Sequence, residues 1–127
     1  MSLSQSTRTI LVVGGGVRIR DQLCLALSRE GCLIRVTGNE NAALTLIDQD
    51  APDAVVLDPA VSEMGIPDFQ QRLMDKNPMA RLVLLIHAND NCKRLAWNGV
   101  RHFLKTPFTQ STLMSALPIR PRINPRL

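Results

Sequence analysis

The sequence predicts one α/β domain, a doubly wound five-stranded parallel sheet in the order 2-1-3-4-5 with five helices. Three observations carry this. Unbroken apolar runs recur at residues 10–13, 54–57 and 82–86, the pattern of strands covered on both faces. Stretches with helical periodicity separate these runs, and such alternation argues for right-handed βα units on a parallel sheet. The other two strands, 32–36 and 100–104, carry Arg35 and the pair Arg101 and His102, which suits edges and leaves strands one, three and four central. In that order the carboxyl ends of strands one and three lie side by side where the winding reverses, the place where open α/β sheets bind their ligands.

Each element has a local reason. After the first strand, Gly14, Gly15 and Gly16 break the run, and a helix follows over 17–30 with Ile19, Leu23, Ala26 and Leu27 on one face. Gly31 is placed to stop it. Asn39 suits the cap of a second helix reaching about Gln49, with Ala43, Leu46 and Ile47 expected inward. The third strand ends on a carboxylate, Asp58, followed by Pro59 and a loop. Pro67 suits the first position of the third helix, Phe69 and Leu73 share its inner face, and Asn77-Pro78 ends it. Asn89 or Asp90 suits the cap of a short helix carrying Leu95, Ala96 and Trp97 and closed by Gly99. Thr109 suits the cap of a last helix with Leu113, Ala116 and Leu117 inward, stopped by Pro118.

Composition narrows the function classes. The 127 residues hold 45% hydrophobic and 20% charged side chains, ordinary for a globular domain able to bury its own core. No apolar run approaches a membrane span, no leader pattern opens the chain, and a cytoplasmic location is expected. Cys24, Cys32 and Cys92 form no C-x-x-C, so neither a disulfide framework nor a zinc site is indicated; Cys24 and Cys32 are expected as small buried hydrophobes. The net charge of +4 is concentrated at the end: residues 118–127 carry Arg120, Arg122 and Arg126 without an acid, leaving +1 for residues 1–117. No nucleic-acid face is therefore expected. Three prolines make 118–127 an extended tail or linker, residues 1–8 are expected to be flexible, and 9–117 is the folded unit.

Several residues together resemble a known family. The run at 10–13, Pro52-Asp53 before the third strand, Asp58, Met64, the strand 82–86, Gly99 and the segment 103–108 (Phe-Leu-Lys-Thr-Pro-Phe) resemble the receiver domain of two-component response regulators, over about residues 8–117. The resemblance implies a flavodoxin-like fold and, at Asp58, the position of the phosphoryl acceptor. It implies partners that are signalling proteins, a histidine kinase or a fused or separate output domain, and a cis bond before Pro107. It also implies an acidic pair holding Mg²⁺ after the first strand, a Thr or Ser after the fourth, and a Lys before the proline.

This chain departs from that pattern at every one of these chemical positions except Asp58. Gly14 and Gly15 stand for the acidic pair, and His87, followed by Ala88, stands for Thr or Ser. Thr106 stands for the lysine, with Lys105 displaced by one residue and so expected on the other face. Ala60 completes the expected pocket, and Phe103 takes the aromatic switch position without a hydroxyl. Phosphoryl transfer needs a metal or cationic clamp for charge on the equatorial oxygens. Mg²⁺ is usually held by one or two carboxylates with phosphate oxygens, so Asp58 alone is a poor site and no cofactor is expected. His87 and Asp58, at the ends of central strands, are expected to face each other.

The leading expectation is an atypical receiver, a non-enzymatic interaction module independent of phosphorylation. A conventional receiver phosphorylated on Asp58 is the alternative. A small nucleotide or flavin binder using Gly14–Gly16 stands third, because glycine amides at a helix start favour anions. The dinucleotide pattern G-x-G-x-x-G, begun at Gly14, meets Ile19 where glycine or alanine is needed.

Overall fold

The computed structural model describes residues 8–87 and 100–117. Its five strands are β1 (Thr9–Val13), β2 (Leu33–Thr37), β3 (Ala54–Leu57), β4 (Arg81–Ile86) and β5 (His102–Lys105). All neighbours pair in parallel, in the order β2-β1-β3-β4-β5. Four α-helices lie among the described residues: α1 (Gly16–Ser28), α2 (Glu40–Gln49), α3 (Ile66–Lys76) and α4 (Gln110–Ala116). Five were expected. The remaining one, with Asn89, Asp90, Leu95, Ala96, Trp97 and Gly99, falls in 88–99, outside the described residues, as do Cys92, Ala88, residues 1–7 and the tail 118–127.

Strand alternation divides the core into two layers. Ile10, Val12, Val56 and Leu85 point to one face, where Leu23 and Leu27 of α1 and Leu113 of α4 cover them. Leu11, Val13, Val55, Leu57 and Leu84 point to the other, under Ala43 and Ile47 of α2 and Phe69 and Leu73 of α3. β1, β3 and β4 are nearly all buried, as their unbroken runs require. β2 is the wet edge: Arg35 pairs with Asp50 at 3.1 Å, and Leu33 stays exposed. Among the described residues β5 has one strand neighbour, β4.

Helix ends follow the capping residues. Asn39 accepts from the Ala42 amide at 2.8 Å, and Thr109 makes a reciprocal cap with Thr112. Gly31 takes a left-handed φ of 77° just beyond α1, where a side chain would be strained.

Four details differ from expectation. Leu44 is buried in α2 beside Ala43 and Ile47, while Leu46 packs against the same core only partly buried, because the inward stripe starts at Glu40. Pro67 is the second residue of α3, since Ile66 buries itself as the first. β5 begins at His102 rather than residue 100, because its pairing with β4 starts at Val83. Cys24 and Cys32 are free thiols at intermediate depth rather than fully buried. Burial first, then the Glu30 charge, still pushes the Cys32 thiol upward against the pull of Arg8.

Candidate functional site at the end of the third strand

Asp58 follows β3 directly, and its amide donates to Val13 O at 3.0 Å, fixing it beside the end of β1. The residue is only 6% exposed. Its Oδ1 accepts from the Ala60 amide at 3.0 Å, capping a 3₁₀ turn over Pro59–Val61. Pro59 in the first turn lacks an amide to satisfy, so the Asp-Pro pair builds both the turn and the carboxylate's orientation.

His87, immediately after β4, faces this carboxylate as expected. Its Nε2 lies 3.3 Å from both Oδ1 and Oδ2. Charge-assisted N–H···O contacts are typically about 2.7–2.9 Å, so this is a loose, evenly shared contact across the pocket. The Asp58 side chain is buried while that of His87 is about a third exposed, which leaves the imidazole in touch with solvent.

Thr106, after β5, is buried; its amide donates to Ile86 O at 2.7 Å and its Oγ1 to the same oxygen at 3.4 Å. The Thr106-Pro107 bond is cis, as the resemblance implied. Lys105 is exposed, and among the described residues no carboxylate lies within ion-pair distance of it. The displaced lysine thus does not bring its charge to Asp58. Phe103 is half-buried and packs on the α2–α3 side of the sheet. Ala60 is exposed.

The glycines facing Asp58 are held by backbone shape. Gly14, Gly15 and Gly16 all have left-handed φ, 77°, 95° and 72°. A Cβ on Gly14 would stand 2.7 Å from Val61 Cγ2 and 3.4 Å from Asp58 Cβ, so Val61 occupies the space a side chain at 14 would need. At Gly15 a Cβ would meet Leu85 at 3.5 Å, an ordinary contact. The Gly14 amide already donates to Thr37 O at 2.9 Å. That amide is therefore not available to an anion, and a buried carboxylate lies beside it.

One residue of the site escapes sequence reasoning. Glu40, in the first turn of α2, is 3% exposed. Its Oε1 accepts from the amides of Glu63 and Met64 at 2.9 and 3.1 Å, and its Oε2 from Ser62 Oγ at 2.6 Å. An acid after an Asn cap ordinarily faces water and favours the helix dipole. The available signal was that Glu40 falls on the buried stripe with Ala43, Leu44 and Ile47. A cavity of about 550 Å³ opens beside this clamp, lined by Asn39, Glu40, Asn41, Val61, Glu63, Met64 and Arg72.

Solved structures similar to this chain include receiver domains. The signal receiver domain of an HD domain-containing protein from Pseudomonas fluorescens Pf-5 matches with a TM-score of 0.76 over 91% of this chain and 88% of that one, at 21% identity. NtrX from Brucella abortus, in its ADP complex, matches with a TM-score of 0.73 over 87% of this chain and 25% of that one, at 26% identity. The fold is that of a response-regulator receiver domain. Among curated proteins, the probable transcriptional regulatory protein TcrX of Mycobacterium tuberculosis (strain ATCC 25618 / H37Rv) is 33% identical over 82 residues, 65% of this chain. The chain spans 35% of that relative's length. No protein-family model matches the chain. No helix among the described residues is long and apolar enough to cross a membrane.

Proposed function

We propose that this receiver domain belongs to two-component signalling but works as a protein-interaction module without Mg²⁺-dependent phosphorylation of Asp58. The observation that carries this reading is the occupancy of the Asp58 carboxylate. Both oxygens already face His87 Nε2 at 3.3 Å, and one also accepts from the Ala60 amide. The donor set speaks the same way. Mg²⁺ takes oxygen ligands in near-octahedral array, and the two positions beside Asp58 that the resemblance reserves for carboxylates are glycines. Among the described residues no cluster of three or more His, Cys, Asp or Glu is available to hold a metal.

The same balance applies to phosphoryl transfer. Charge building on the transferred group needs cations in place beforehand. Among the described residues, the one nearest Asp58 that can carry one is His87, a weaker counter-charge than a metal and a lysine together. The partners that fit are a histidine kinase or an output domain, in the same chain or a separate one. The decisive experiment is intact-mass and NMR analysis after incubation with Mg²⁺ and acetyl phosphate, or with Mg²⁺ and beryllofluoride. No adduct on Asp58 is expected. A stable Mg²⁺-dependent adduct that disappears in Asp58→Asn would replace this reading with the conventional receiver.

A further inference from the structure

The segment between β3 and α3 reads as a plain loop in sequence, yet every amide from Ala60 to Gly65 has a partner. Ala60 donates to Asp58 Oδ1, Val61 to Asp58 O, and Ser62 to Pro59 O. Glu63 and Met64 both donate to Glu40 Oε1, and Gly65 donates to Ser62 Oγ, which itself bonds Glu40 Oε2. Three of these six amides therefore depend on one buried carboxylate, directly or through Ser62. A buried carboxylate is retained only when hydrogen bonds replace its water, and two amides with one hydroxyl meet that need.

The pinned segment carries Val61, whose methyls fill the space above Gly14 and beside Asp58. Glycine at 14 and valine at 61 are complementary in shape. We infer that Glu40 is a positioning residue for the Asp58 pocket: its carboxylate clamps residues 62–65, directly after Val61, so that Val61 stays closed over Asp58, and loosening the clamp opens the pocket. The inference deepens the reading above, since a pocket that does not turn over phosphate needs another route between closed and open. It stands apart experimentally, because it concerns access to Asp58 and not phosphoryl chemistry.

The clamp also selects its own control. A glutamine at position 40 keeps Oε1 for the two amides and can donate through Nε2 to Ser62 Oγ; an alanine keeps nothing. Amide hydrogen exchange and carbodiimide labelling of Asp58, read by mass spectrometry, test this on the whole chain. Glu40→Ala is expected to speed exchange at Glu63, Met64 and Gly65 by about tenfold or more, and to raise Asp58 labelling, with β1 and β4 amides unchanged. Glu40→Gln should stay within about threefold of the parent. Val61→Ala leaves the clamp alone; it should raise Asp58 labelling without changing exchange at Glu63 and Met64. This second variant keeps the test open should Glu40→Ala fail to fold. Uniform acceleration of all amides in Glu40→Ala, equal exchange in Ala and Gln variants, or an Asp58 that stays protected in Val61→Ala would each overturn the inference.

Discussion

The two walls of the Asp58 pocket depart from the receiver pattern in different ways. On the β1 wall the departure lies in the backbone: Gly14 and Gly15 have left-handed φ, and Val61 fills the space above Gly14. On the β4–β5 wall it lies in side chains alone. His87 follows β4 and Thr106 follows β5 in their expected register, and only the groups they carry differ. A lost side chain can be put back by one substitution, whereas a backbone that has adopted left-handed glycines resists a side chain of any kind.

The largest expected effect follows on the β1 wall. Gly14→Asp introduces a side chain at φ 77° and a clash with Val61, so a loss of about 2–4 kcal/mol is expected from strain and overpacking together. Urea denaturation checks this, and a loss below about 1 kcal/mol would mean the loop rearranges freely. Adding Gly15→Asp to rebuild the acidic pair should therefore unfold the β1 wall before it creates a metal site. Gly15→Ala separates the two causes. Its Cβ meets only ordinary contacts, so strain alone remains, about 1–2 kcal/mol.

The β4–β5 wall should be more forgiving. His87→Thr changes a side chain on a regular backbone and removes a loose 3.3 Å contact to Asp58, so its cost should be smaller than that of Gly14→Asp. A cost equal to that of Gly14→Asp would erase the contrast between the walls. The smallest effect is a pH dependence at the far end of β5. Burial first, then the Arg81 and Arg101 charges, hold His102 below its usual 6.5. The unfolded chain then binds the extra proton, so this group's contribution to stability is lost as pH falls from about 6.5 toward the folded value. His102→Gln should flatten that part of the stability curve. An unchanged difference between parent and variant at pH 7.5 and 5.5 would show that the charges do not reach the ring.

Much of this contrast was legible in the residues themselves. The unbroken runs of β1, β3 and β4 located the sheet, and the carboxylate ending β3 located the pocket. The strand-end rule brought His87 to Asp58, and alternation sent Lys105 away. What stayed hidden depends on contacts between distant segments. Glu40 reads as a surface acid until Ser62, Glu63 and Met64 fold over it. The left-handed turns at Gly14 and Gly15 are permitted by glycine but not demanded by it. Leu44 and Leu46 both face the core, and only the placement of Glu40 makes Leu44 the deeper of the two.

The fit of Gly14 to Val61 has a consequence for the substitution paths open to this chain. A side chain returned to position 14 first collides with the valine. A smaller residue placed first at position 61 leaves a gap against the α2–α3 face of the core, with no gain until position 14 also changes. Each single step is uphill, and only the pair together can be neutral, the strong coupling expected of residues in contact. The two positions are therefore locked together, and a change at either one is felt first at the other.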